Sequence, residues 1–143
     1  MARVCIMLAS AILLFFGLLH LHGTFFTTDL HPADLELITK LKSSHIQMDK
    51  SGNLWRLWLG FNAMFSVGLS FIGMINLYLS AKHFQFWASN AFIFLLAIGS
   101  TAILVWIGYA YIIIDFVISM AVPLVLFVTG LFLFHFKNRN QHE

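Results

Sequence analysis

The chain has 143 residues, 60% hydrophobic and only 10% charged, with a mean hydropathy of +0.88. Soluble domains carry about 45–50% apolar and about 25% charged residues, and a small fold leaves much of its surface exposed, so this composition requires lipid as solvent. The net charge of +2, from 8 basic and 6 acidic residues with no basic block, excludes a nucleic-acid surface, and the single cysteine excludes an internal disulfide.

The first element is the apolar run from Val4 to Leu21, preceded by Arg3. A secretory leader has an apolar region of roughly 7–15 residues followed by a small-x-small cleavage site. This run is longer and ends in Leu19-His20-Leu21-His22-Gly23 without such a site. A retained first span over about 4–22 is expected.

Thr24 to Asn53 is the long polar segment. Within it His31-Pro32-Ala33-Asp34-Leu35-Glu36 reads as a helix start, with Pro32 suited to the first helical position and the acids to the positive end of the dipole. Leu35, Ile38 and Leu41 recur at helical spacing, and Lys40 and Lys42 close the segment. A short amphipathic helix over 32–42 follows, lying on the membrane surface or capping the bundle.

Ser51-Gly52-Asn53 is a turn, and the apolar segment of about 54–81 after it exceeds the roughly 20 residues a span needs. Phe84 to Phe136 is too long for one crossing. It divides into spans of about 84–107 and 112–136, with the turn expected at Gly108 among Trp106, Tyr109 and Tyr111, residues suited to the interface. Pro123 falls inside the last span, where it predicts a kink, and Lys137-Asn138-Arg139-Asn140 forms a polar stop. The expected fold is all-α: a polytopic four-transmembrane-helix bundle, one membrane domain over 1–143, with the short amphipathic helix in its first loop.

Four crossings place both termini on one side. Arg3, Lys82, Lys137 and Arg139 fall there with Glu143, while Lys40, Lys42 and Lys50 share the other side with Asp29, Asp34, Glu36 and Asp49. Weighting Lys and Arg near the membrane gives cytoplasmic N- and C-termini.

Polar residues within the spans are the candidates for function. Asn62, Ser66, Ser70, Gly73, Asn76 and Ser80 all lie within roughly 80° of Asn62 on a helical projection. Such a small, polar stripe suits helix packing, with Ser66, Ser70, Gly73 and Asn76 at its centre; the other reading is a polar groove for a ligand. Arg56 and Asp115 are charges in apolar surroundings, and with His20 they are expected at one depth from three helices. An Arg–Asp pair with a neighbouring His is one reading; an Arg56 that snorkels to headgroups and an Asp115 that faces water is the other.

Seven histidines raise metal and haem binding. His83 and His135 sit at helix ends, and His20 with His22 does not share a helix face. No bis-histidine haem is expected, and only a surface copper or zinc site from the outer-loop histidines stays open. There is no nucleotide loop, HExxH or GxSxG, and no cofactor is implied.

Leu18-Leu19-His20, Pro32-Ala33-Asp34 and above all Leu54-Trp55-Arg56-Leu57-Trp58-Leu59-Gly60-Phe61-Asn62-Ala63 resemble an uncharacterised family of small bacterial membrane proteins with four transmembrane helices. The resemblance covers most of the chain. It implies a bacterial inner-membrane setting and singles out Trp55, Arg56, Trp58, Gly60 and Asn62. Where that pattern continues Ala-Ser-His-Ser, this chain has Ala63, Met64, Phe65 and Ser66, so no family histidine stands at position 65. A looser likeness to DoxX-type proteins, associated with quinol oxidation, is one of architecture.

Two readings of function follow. In the first, the chain is an accessory or scaffold subunit partnered by membrane lipid and by another membrane subunit or itself, without catalysis. In the second, it binds or acts on a lipid, quinone or other apolar small molecule in an outer-leaflet pocket of His20, Trp55, Arg56, Asn62 and Asp115. A small transporter is a third, weaker reading, because the halves show no inverted repeat.

Overall fold

A computed structural model describes residues 1–48 and 50–139, the last three as backbone only. Asp49, Asn140, His142 and Glu143, together with the Lys137 and Arg139 side chains, lie outside the described residues. Among the described residues six helices follow in order: α1 (Ala2–Phe26), α2 (Leu35–Ser43), α3 (Leu54–Lys82), α4 (Phe84–Ser89), α5 (Ala91–Tyr111) and α6 (Ile114–Arg139). The chain is all-α, and α1, α3, α5 and the Ile114–Phe136 part of α6 are each long and apolar enough to cross a membrane.

Several boundaries differ from those read in the sequence. α1 continues past His20 and His22 to Phe26, and within this extension Thr24 Oγ1 donates to the His20 carbonyl (2.8 Å). Pro32 lies outside α2. Asp34 is the cap instead, its carboxylate accepting from the Glu36 and Leu37 N–H groups at 2.8 and 3.3 Å. The third apolar segment is not one helix: Asn90 breaks it, its side chain accepting from Phe92 N and Ile93 N to start α5. Gly108 is not the turn. α5 runs through it to Tyr111, and Ile112 and Ile113 alone join α5 to α6. A Cβ on Gly108 would lie 2.6 Å from Phe116 Cδ1, so this glycine lets α6 close onto α5 rather than turning the chain. α6 stays helical through the buried Pro123.

Contacts divide the chain into two compact units. The first comprises Met1–Phe15 and the residues from Phe71 on. Here glycines admit close neighbours: a Cβ on Gly73 would sit 2.4 Å from the backbone nitrogen of Leu14, and one on Gly130 would sit 2.7 Å from the Ile6 side chain and 3.1 Å from the Ala2 carbonyl. Such close approach supplies the dispersion contacts that hold helices together where lipid removes the hydrophobic drive. Trp87, fully buried, stacks on Phe127 at 6.0 Å, and its indole N–H donates to Asn76 Oδ1 at 2.7 Å. Arg3 closes the end of α3, donating to the carbonyls of Ser80 (3.0 Å) and Ala81.

The second unit, Phe16–Ser70, holds the end of α1, the polar loop, α2 and the start of α3. Gly17 is its tightest point, where a Cβ would fall 2.3 Å from Ser70 Oγ and 2.9 Å from the Ser66 carbonyl. α2 buries none of its residues. The loop beyond it is tied down at Leu54 N to Ser44 O (3.0 Å) and by His45 Nδ1 against Gly52 O (2.6 Å).

Candidate functional site

Polar and aromatic side chains gather in the second unit, on the first turns of α3. Asn53 starts that helix, its Oδ1 accepting from Arg56 N at 2.9 Å. Trp55, Trp58 and Asn62 follow at three- and four-residue spacing and so share a face. The two indoles stack at 5.4 Å with planes 10° apart. His31, from the loop after α1, sets its ring edge-on against both, at 5.0 Å from Trp55 and 5.9 Å from Trp58. Lys42 lies over Trp55 from the end of α2, 5.7 Å from the ring centre. The Nε2 atom of His31 is buried and has no hydrogen-bond partner.

Two turns deeper, His20 meets Asn62. Asn62 Nδ2 donates to the Trp58 carbonyl (2.8 Å), which turns its Oδ1 toward His20 Nε2 at 3.1 Å. With oxygen as acceptor, Nε2 carries the imidazole hydrogen. Phe65 packs edge-on against the same ring, 5.2 Å between centroids. Phe65 therefore acts as a wall for His20. One turn on, Ser66 is fully buried and donates to the Asn62 carbonyl at 2.7 Å.

Arg56 is turned about 100° from Trp55 around the helix and is exposed. It lines a separate cavity of about 240 Å³ with Ile46, Gly52, Asn53 and Leu57. The structure thus joins His20 to Asn62 and Trp55 to His31, and sets Arg56 on a different face of the same helix. Asp115 belongs to the other unit. It is exposed in the first turn of α6, where the helix dipole favours a carboxylate.

No family model, curated protein or solved structure matches this chain. The site is therefore read from its own chemistry. Its polar groups are a hydrogen-bonded amide and imidazole, a second imidazole against stacked indoles, and one guanidinium on another face. Among the described residues no group of three or more His, Cys, Asp or Glu side chains is placed to hold a metal ion.

Sequence reasoning had His31 only as one of the outer-loop histidines and missed its place against Trp55 and Trp58, and it missed Gly17 altogether. His31 is an isolated loop histidine without a helical spacing to flag it; its role appears only when the loop returns onto the Trp pair. Gly17 had a signal, since a glycine inside an apolar span marks a place where another backbone passes close. Trp58 was visible as the residue three after Trp55.

Proposed function

We propose that this chain is an accessory or scaffold subunit of a membrane assembly, formed with its own copies or with another membrane protein, and that it docks a further membrane helix on the exposed α3 face of Gly60, Met64, Val67 and Gly68. The supporting observation is where the helical glycines stand. A glycine costs a helix about 1 kcal/mol relative to alanine, and at Gly17, Gly73, Gly108 and Gly130 that cost is offset by a neighbour 2.3–2.7 Å from where a Cβ would be. Gly60 and Gly68 are exposed, and a Cβ on either would meet nothing within 4 Å. They are eight residues apart on one side of α3, and small residues on a helix surface let a second helix approach closely in lipid. Purification in mild detergent is expected to yield a homo-oligomer or a stoichiometric partner, and the Gly60→Leu, Gly68→Leu double variant is expected to dissociate it while keeping its helicity. A monomer without any partner refutes the reading.

A second reading rests on Arg56. Arg56 lines a cavity of about 240 Å³, and a guanidinium suits the anionic or carbonyl group of a lipid, quinone or similar amphiphile. Full ligand retention by a folded Arg56→Ala variant rules it out. The likeness of the Trp55–Asn62 run to small bacterial membrane proteins supports an inner-membrane location, and Arg3, Lys82, Lys137 and Arg139 support cytoplasmic termini by the distribution of positive charge.

A further inference from the structure

A second cavity lies in the first unit, away from the α3 N-terminus. It holds about 190 Å³ between α3 and α5, with Ile72, Ile75 and Leu79 on one wall and Ile93, Leu96 and Ala97 on the other. On α3 these positions extend over about 10 Å of helix. Two polar side chains reach the lining, Asn76 and Ser100, and both are already engaged. Asn76 Oδ1 accepts from Trp87 Nε1 (2.7 Å), its Nδ2 donates to the Ile72 carbonyl (2.9 Å), and Ser100 Oγ donates to the Ala97 carbonyl (3.2 Å). With its polar side chains so engaged, the groove favours hydrocarbon over water.

The α3 wall leads to a cationic end. Lys82 and His83 continue the face of Ile75 and Leu79 by one turn, and both are exposed. The His83 imidazole makes no capping bond to α4, and Arg3, also exposed, sits on the last carbonyls of α3. Asp115 is the sole carboxylate among the described residues of this unit. It stands just beyond the far end of α5, a helix of 21 residues and so about 30 Å long. Among the described residues, hydrocarbon groove and positive charge therefore meet at one end of α3.

We propose that this groove is a binding site for an anionic phospholipid, with one acyl chain between α3 and α5 and the phosphate-bearing headgroup on Lys82 and His83. Trp87 reports on it directly, because its indole is bonded to Asn76 in the groove wall. The test uses a Trp55→Phe, Trp58→Phe, Trp106→Phe protein, which leaves Trp87 as the only tryptophan, in vesicles mixing phosphatidylcholine and phosphatidylglycerol, with bromine on the acyl chains of one or the other. Brominated phosphatidylglycerol is expected to quench Trp87 with an apparent binding constant on the order of fivefold above that of phosphatidylcholine. Lys82→Gln, an exposed change, brings the two lipids to parity, and Ala97→Phe weakens quenching by both. Equal quenching by the two lipids, or a preference that survives Lys82→Gln, overturns the proposal. If the triple substitution fails to fold, native mass spectrometry of the unaltered protein and of Lys82→Gln decides the same question. Selective retention of phosphatidylglycerol by the unaltered protein alone supports the site, and indiscriminate or absent retention overturns it.

Discussion

Asn76 and Trp87 show how one polar residue earns a place in an apolar helix. The indole N–H is fully enclosed, and Asn76 Oδ1 is its acceptor. Removing the acceptor leaves a buried donor unpaired, at a cost of about 1–3 kcal/mol. Asn76→Ala is therefore expected to lower the thermal midpoint in detergent clearly, with loss of the near-ultraviolet signal of an ordered indole. Asn62→Ala is expected to cost less, about 0.6 kcal/mol as interhelical hydrogen bonds in membranes average, because its partner His20 is only part-buried. A midpoint for Asn76→Ala no lower than that for Asn62→Ala would refute this ranking. Both asparagines were visible in the sequence on one helical stripe. Their different partners were not, because a projection of α3 cannot reveal that Trp87, eleven residues on from Asn76, folds back against it. For the same reason Arg56 was grouped with His20 and Asp115 by depth, although around α3 it is turned away from Asn62, the residue that meets His20.

At the scale of the helix, glycines with and without a neighbour respond oppositely to a methyl group. Gly73→Ala would set its Cβ against the Leu14 backbone at 2.4 Å, and backbone cannot step aside as a flexible side chain does. Overpacking of this kind costs typically 1–3 kcal/mol. Gly68→Ala meets nothing within 4 Å and is expected to leave the isolated chain unchanged or slightly steadier through helix propensity. Paired melting curves check the sign of the difference; equal curves would mean that α3 does not approach α1 at Gly73. Asn90 offers a second test. Its side chain takes two N–H groups at the start of α5, so Asn90→Ala is expected to cost about 1 kcal/mol and Asn90→Asp to recover most of it. The break at Asn90 was readable in principle, since Asn favours a cap over a helix interior. It was hidden by the apolar residues on both sides, which hydropathy joins into one segment. Gly108 misled in the opposite way: a glycine near interfacial aromatics resembles a turn, yet here it serves close packing against Phe116.

At the scale of the molecule, composition carried the architecture, because four apolar segments of span length leave few other ways to satisfy backbone hydrogen bonds in lipid. Function was far less legible: a docking surface and a lipid groove both consist of ordinary apolar and small residues, and what distinguishes them is which neighbours are present. The charged residues are the better guide to placement. Lys40 and Lys42 lie on α2, which buries none of its residues, and Lys50 follows in the same exposed loop. If the termini are cytoplasmic as proposed, trypsin added outside spheroplasts cuts at these three lysines and separates the first span from the rest. Lys137 and Arg139 then stay intact until inverted vesicles expose the opposite face. The reverse pattern of cleavage would turn the chain over and place Lys82 and the α3–α5 groove in the outer leaflet. The groove's chemistry would stand in either orientation, but only the cytoplasmic placement sets Arg3, Lys82 and His83 against the leaflet whose anionic surface attracts juxtamembrane cations.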